Sequence, residues 1–472
     1  MSTPSANLKW VYLQITLVIV MVFLKSTVAS FSTIKNLPGF SGPLPFKLET
    51  GYVEVGKKGD VQLFYYFIES ERNPREDPLL LWLTGGPGCS SLSGLIFEIG
   101  PLQFNIVEYN GSLPTLKLNP HSWTKVSSII FLDAPVGTGF SYSRSYHSSE
   151  TGDTIQAIHT YTFLKKWLLS HPEFIKNPLY IAGDSYSGMV VPVITKQISI
   201  GIELGVQPQI NLKGYLLGNP ATDYKFDENA RIPFAHRMAL ISDELYESAK
   251  RNCKGEYVDV DHKNIKCKND LQSISECISR IEITHILEPQ CNITFRLLNQ
   301  IDKFRRYLID NNEDFLLIPP RFPHPGCRNY NSLLCNIWAN DASVQIALQA
   351  SKGKLREWMR CNQSLYYMHD VQSTIGHHLY LNTRGYRALI YSGDHDMIIP
   401  YLGTLSWIKS MNLSIVEHWR PWLVDGQVAG YLMEFSNQFM FVTVKGGGHT
   451  PPEYRPRECF ATFKRWISGE SL

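Results

Sequence analysis

The stretch Leu179-Tyr180-Ile181-Ala182-Gly183-Asp184-Ser185-Tyr186-Ser187-Gly188 is an apolar run that breaks at glycine, presents one serine, and reopens as Met189-Val190-Val191-Pro192-Val193-Ile194. It reads as a strand turning sharply into a helix with a nucleophile at the apex. Such a turn lifts the hydroxyl clear of the sheet, and its neighbours must be small because a Cβ on either side would collide with the adjoining strand or helix. Gly183 and Ser187 are both small. The strict pattern asks for glycine two places after the nucleophile, and this chain has Ser187 there, with Gly188 following.

A serine hydroxyl is a weak nucleophile until a base takes its proton, so a base and an acid to orient it must follow on later strands. Arg387-Ala388-Leu389-Ile390-Tyr391-Ser392-Gly393-Asp394 reads as a buried strand ending in a glycine and an acid. Met440-Phe441-Val442-Thr443-Val444 is another strand, followed by Lys445-Gly446-Gly447-Gly448-His449, where the glycine run lets the backbone fold back and aim the ring. The order serine, acid, histidine is the one required when the nucleophile sits on such a turn. His449 is therefore expected to be the base and Asp394 the acid. Asp396 is a rival, and Asp394 is preferred because it stands closer to the end of the strand.

The oxyanion that develops during attack needs backbone donors. One is expected from Tyr186, the residue after the nucleophile, and the other from Leu79-Leu80-Leu81-Trp82-Leu83-Thr84-Gly85-Gly86-Pro87-Gly88-Cys89-Ser90-Ser91, a strand running into three glycines and a proline. A phosphate-cradling loop is the competing reading, but no lysine follows in the needed place. No cofactor or metal is expected, since side chains and backbone amides carry all of this chemistry.

Gly-Gly-Pro-Gly-Cys-Ser-Ser (85–91), Gly-Asp-Ser-Tyr-Ser-Gly (183–188), Ser-Gly-Asp-His-Asp (392–396) and Gly-Gly-Gly-His-Thr (446–450), in this order, resemble the plant serine carboxypeptidase-like family. The resemblance runs from about Leu37 to the C-terminus. It implies an α/β-hydrolase fold, a mixed and mostly parallel sheet flanked by helices with an inserted helical cap. It further implies the triad Ser185, Asp394 and His449, an oxyanion hole made by the amides of Gly86 and Tyr186, and substrate contacts at Trp82, Thr84, Gly85, Glu98 and Asp184.

The chain departs from the peptidase pattern of that family at three places. Peptidases of the family hold the substrate's terminal carboxylate with an Asn before the double glycine, a Glu before the nucleophile, and a further Glu beyond the glycine loop. Here those places are Thr84, Asp184 and Glu98. A threonine hydroxyl offers one donor where an amide offers two and an acceptor, and Asp is one methylene shorter, so the clamp is loosened. The same changes resemble the branch that transfers acyl groups from 1-O-glucose esters to small-molecule acceptors. Three readings follow: acyl transfer between an acyl glucose ester and an acceptor, release of C-terminal residues from peptides, and a non-catalytic secreted scaffold.

A net charge of +2 without a basic run argues against nucleic acid or a charged membrane surface as partner. Lys9 precedes the apolar stretch Val11 to Leu24, with small residues at Ser26, Thr27, Ala29 and Ser30. That stretch is shorter than the ~20 residues a spanning helix needs, so residues 1–29 read as a cleavable signal peptide. The expected destination is the secretory pathway, extracellular or vacuolar.

All nine cysteines follow the leader, in an oxidising route where disulfides persist. Cys253, Cys267, Cys277, Cys291, Cys327 and Cys335 lack a matching histidine spacing for zinc, and their spacing alone leaves the connectivity open. The family resemblance implies Cys89 with Cys327, Cys253 with Cys267, and Cys277 with Cys291, leaving a free thiol among Cys335, Cys361 and Cys459. Sequons at Asn110, Asn292, Asn362 and Asn412 fit N-linked glycans.

Alternating strands and helices predict a first core segment over 30–220, a cap over 221–340 with walls such as Asp243 to Arg251, and a second core segment over 341–472. Gly51 to Val55 and Leu63 to Phe67 read as an opening hairpin. Thr154 to Ser170 reads as a crossover helix with Ile155, Ile158, Leu164 and Leu168 on one face and Trp167 packing inward. The four-proline loop Ile318 to Gly326 is a candidate processing point or a rigid turn.

Overall fold

Runs of five or six apolar residues without polar alternation need cover on both faces, which is the condition of a parallel sheet between helix layers. The computed structural model describes residues 30–56, 59–145, 149–291, 325–350 and 357–472. Residues 1–29, expected as a leader, the sequon at Asn292 and most of the proline loop lie outside them. In chain order the principal strands are β1 (Ser30–Ile34), β2 (Leu48–Val55), β3 (Val61–Ile68), β4 (Leu79–Leu83), β5 (Ser128–Leu132) and β6 (Leu179–Asp184). There follow β7 (Leu212–Gly218), β8 (Arg387–Gly393), β9 (Ile415–Val424), β10 (Gln427–Phe435) and β11 (Phe439–Val444). With the short Tyr142–Ser143 they form one twelve-stranded sheet in the order β1-β2-β3-β5-β4-β6-β7-β8-β11-β10-β9. The six strands from β5 to β11 in that order run parallel, and antiparallel strands close both edges.

Side chains alternate between two cores. Leu80, Trp82, Ile129, Phe131, Leu389 and Tyr391 face one, while Leu79, Leu81, Ile130, Leu132, Ile181 and Ile390 face the other. Against the second core lie helices α1 (Asp153–Ser170) and α2 (Val191–Glu203), whose Phe163, Trp167, Ile194 and Ile198 are buried there. The face of α1 is rotated from the expected one. Ile158 is 49% exposed, and the buried side runs through Ala157, Thr160, Phe163, Leu164 and Trp167. The larger rings decide the face: Trp167 packs edge-on against Phe67 at 4.8 Å and stacks on His171 at 4.1 Å.

Between β7 and β8 the chain forms α3 (Tyr224–Asn229), α4 (Arg231–Arg237), α5 (Asp243–Cys253), α6 (Ile265–Ile278) and α7 (Asn329–Ala339). A small apolar cluster of Ile232, Phe234, Ala249 and Ile274 includes Met397 from the loop after β8, so this insertion is packed onto the core at that loop.

Of the expected disulfides, Cys253–Cys267 is present. The other two are replaced by Cys89–Cys361 and Cys291–Cys327, leaving Cys277, Cys335 and Cys459 free. The reason is local. Residues 360–362 pair with the glycine loop through Ser90 N–H to Arg360 O (2.7 Å) and Asn362 N–H to Gly88 O (2.9 Å), which brings Cys361 opposite Cys89. Cys361, expected among the free thiols, is therefore bonded, and Cys327 is left to Cys291. Of the free thiols only Cys277 is exposed. Iodoacetamide applied to the native protein is accordingly expected to alkylate Cys277, with Cys335 and Cys459 reacting only after denaturation; peptide mass mapping checks it.

Candidate active site

Strands β4, β6, β8 and β11 end at the same edge of the sheet, the carboxyl edge where open α/β sheets bind ligands. The elbow after β6 holds Ser185 at φ +55°, a left-handed conformation tolerated at the apex of a strained turn. A Cβ on Gly183 would lie 2.5 Å from Leu83 O and 2.7 Å from Ser187 Cβ, so only glycine fits there. Ser187 in place of the usual glycine has its own use: its Oγ–H donates to Leu83 O at 2.9 Å and ties the elbow to the end of β4. The Tyr186 hydroxyl donates to the buried Asp153 carboxylate at 2.8 Å, anchoring the elbow on its other side.

Ser185 Oγ lies 2.7 Å from His449 Nε2, and His449 Nδ1 lies 2.8 Å from Asp396 Oδ2. The acid against the histidine is thus Asp396, and the expectation of Asp394 is corrected. Chain distance from the strand end was the wrong criterion, because the loop turns after Gly393 and returns the second acid inward. Asp396 is fully buried and accepts from Ile398 N–H (2.8 Å), Ile399 N–H (3.2 Å) and Asn219 Nδ2 (2.7 Å). Asp394 is partly exposed, and its Oδ1 accepts from Gly446 N–H at 2.7 Å and meets His395 Nδ1 at 2.5 Å. Asn219, at the end of β7, also accepts from Gly393 N–H at 3.0 Å, so it spans the acid loop. Asn219 stands just before the boundary predicted at 220, and an Asn-Pro pair at a strand end marks a turn there without revealing the brace. Burial pushes the His449 imidazole down, but the charge and hydrogen bond of Asp396 outweigh it and leave its pKa raised.

These groups open on a cleft of about 310 Å³ whose lining includes Thr84, Gly85, Gly86, Asp184, Ser185 and His449. A Cβ on Gly85 would lie 2.7 Å from both Ser185 Cβ and Tyr186 N, so the glycine loop abuts the nucleophile. Trp82 is corrected from the binding set: it is fully buried, and its Nε1–H donates to Thr84 Oγ1 at 3.2 Å, because the alternation of β4 turns it into the core beneath the cleft. Asp184 accepts from Gly85 N–H at 3.2 Å. Burial pushes its pKa up to about 6, with the His449 charge and that amide pulling the other way.

Glu98 is buried, and neither carboxylate oxygen has a hydrogen-bond partner among the described residues. Burial, then the neighbouring Asp184 and Glu453 carboxylates, raise its pKa well above the ordinary value. Two arginines not foreseen from the sequence also line the cleft: Arg328, paired with Glu453 and lying 3.8 Å over the Tyr454 ring, and Arg360, bonded to Ser93 and Ser332. Their positions depend on long-range pairing that no local pattern encodes. Among the described residues no cluster of three or more His, Cys, Asp or Glu could hold a metal ion, and no helix is long and apolar enough to cross a membrane. Asn110 and Asn412 are exposed, whereas Asn362 is 9% exposed with its Nδ2 donating to Gly137 O at 2.9 Å.

A strand-to-helix elbow at the carboxyl edge of a mostly parallel sheet, with serine, histidine and aspartate in hydrogen-bonded sequence, defines an α/β-hydrolase. The chain belongs to the serine carboxypeptidase family, whose model matches residues 38–469. It is similar to "Serine carboxypeptidase-like 7" of Arabidopsis thaliana, 50% identical over 96% of this chain and 97% of that one. It is also similar to "Serine carboxypeptidase-like 17" of the same plant, 49% identical over 98% of each. Among solved structures, a prohormone-processing carboxypeptidase from Saccharomyces cerevisiae aligns with TM-score 0.70 and 20% identity over 93% of this chain and 95% of that one, which establishes a shared fold. The protein is a serine carboxypeptidase-like enzyme.

Proposed function

We propose that this enzyme transfers an acyl group from a 1-O-glucose ester to a small-molecule acceptor through an acyl-enzyme on Ser185. The observation that carries the reading is the state of Thr84. Its hydroxyl accepts the Trp82 indole N–H and so keeps a single O–H donor for a substrate, where the amide of a carboxylate clamp would offer two, and Asp184 beside it accepts from Gly85 N–H. In the proposed mechanism His449 takes the Ser185 proton as the oxygen attacks the ester carbonyl, and Asp396 holds the imidazole tautomer and stabilises the imidazolium. The amides of Gly86 and Tyr186 receive the oxyanion. His449 then returns the proton to the departing glucose oxygen. An acceptor hydroxyl, deprotonated by the same histidine, attacks the acyl-enzyme and must be held in place to outpace water.

Release of C-terminal residues from peptides is the second reading, favoured by one observation. Asp184, in the lining of the cleft, is a buried carboxyl with a raised pKa, and a protonated carboxyl can donate to a substrate carboxylate. The two readings separate in a paired assay: a phenolic 1-O-glucose ester with candidate acceptors, and a blocked dipeptide at mildly acid pH. Ester product without dipeptide cleavage supports acyl transfer; cleavage without ester product overturns it. The same reading sends the chain through the secretory pathway, with glycans at Asn110 and Asn412.

The buried Asp184 carries a pH signature. A carboxyl whose folded pKa is raised adds most stability while protonated, and that contribution is lost as pH rises through its folded value, here about 6. Asp184→Asn stays neutral and still accepts from Gly85. Its melting temperature is expected to rise relative to the parent as pH climbs from the ordinary value of 3.8 to about 6, and to keep that margin at higher pH, measured by scanning calorimetry.

A further inference from the structure

Asp394, displaced from the catalytic acid position, has a different use. Three successive glycines, 446–448, precede His449, and a glycine run has more backbone freedom to lose than any other sequence. Yet His449 meets two partners on separate loops at 2.7 and 2.8 Å, so something outside the run must fix it. Two sets of contacts do so. From the loop after β8, Asp394 N–H donates to Val444 O (3.2 Å), His395 N–H donates to Gly447 O (2.9 Å), and Asp394 Oδ1 accepts from Gly446 N–H (2.7 Å). From the insertion, residues 283–286 lie as a strap across both loops: His449 N–H donates to Thr284 O (2.7 Å), Met397 N–H to Ile283 O (2.9 Å) and Ile286 N–H to His395 O (3.1 Å). The His285 ring stacks on His395 with centroids 5.4 Å apart, and its Nε2 lies 3.3 Å from Gly446 O.

We infer that Asp394 is a positioning residue, whose carboxylate, together with the strap at residues 283–286, holds the glycine run so that His449 stays in register between Ser185 and Asp396. Asp394 is not among the residues lining the cleft, so it acts through the loop. This rests on the reading of Ser185 as the nucleophile. Its Oδ1 is the atom that accepts from both Gly446 and His395, and an asparagine keeps an oxygen there. The role is therefore one of geometry, and charge is dispensable to it.

The test uses a fluorophosphonate probe, which modifies an activated serine and needs no knowledge of the natural substrate. Labelling of Ser185 is timed by intact mass in the full protein, with melting temperature recorded for each variant. Asp394→Ala is expected to label ~10- to 100-fold more slowly, the scale of a displacement of up to an ångström in a catalytic group, and Asp394→Asn within about threefold of the parent. Rescue by Asn separates positioning from a charge effect. If Asp394→Ala does not fold, His285→Phe, which keeps the ring and removes the contact to Gly446 O, is expected to slow labelling ~10-fold. Parental rates in Asp394→Ala, or in His285→Phe where it is the variant used, overturn the inference, as does an Asp394→Asn rate as low as that of Asp394→Ala. Absence of labelling in the parent instead overturns the assignment of Ser185, and this inference with it.

Discussion

Asp396→Asn is expected to lower the rate of acyl-enzyme formation by ~10⁴-fold, and Asp394→Asn to leave it nearly unchanged. The asymmetry follows from which carboxylate faces the imidazole. Asp396 accepts the Nδ1–H of His449 at 2.8 Å, and this leaves Nε2 as the lone-pair face toward Ser185. An asparagine at 396 presents an amide N–H to a site already crowded with donors from Asn219, Ile398 and Ile399. The arrangement then favours the tautomer with its proton on Nε2, which cannot take the serine proton. Single-turnover kinetics on an activated ester measure both variants. Equal losses in the two, or a larger loss at 394, would return the acid role to Asp394.

Ser185→Ala is expected to remove more, ~10⁶-fold of the turnover number, because it deletes the atom to which the acyl group is bonded. The fold should survive, since the side chain's hydrogen bond among the described residues is the one to His449. The φ of +55° remains a demand on any residue placed there, so the variant keeps the strain of the elbow without its chemistry. Fluorophosphonate labelling should disappear, while melting temperature stays close to that of the parent. Persistent turnover with a normal melting curve would mean that another group carries the acyl intermediate.

The strands, the elbow and the glycine loop were legible because each is written in a contiguous stretch: an apolar run, then glycine, then a polar apex. The nucleophile and base follow from that local grammar, since Ser185 and His449 each stand at the end of such a run. The acid did not follow, because Asp394 and Asp396 share one loop and only the turn after Gly393, braced by Asn219, decides which of them points inward. Trp82 failed for a related reason: it belongs to the strand, whose alternation buries it, and not to the loop beyond.

The cysteine pairing illustrates what local reading lacks. Cys89 and Cys361 are 272 residues apart, and they meet because residues 360–362 pair with the glycine loop. The same pairing places Arg360 in the cleft, and α7 opens beside Arg328, so both cations arrive through tertiary contacts. The alternation of strands and helices predicts the insertion only as a cap beside the core. Instead, residues 283–286 hydrogen-bond directly to the two loops that carry His449 and Asp396, making them part of the scaffold of the site itself.

Passage of an acyl group from a glucose ester through Ser185 is the central proposal for this enzyme. Its most direct test is to mix the enzyme with a phenolic 1-O-glucose ester, quench in acid within the first turnover, and map the protein by mass spectrometry. The predicted result is the acyl mass on the peptide containing Ser185, absent from Ser185→Ala and discharged to ester product when an acceptor alcohol is added. No acyl mass on that peptide, in an enzyme that cleaves a blocked dipeptide under the same conditions, would contradict it.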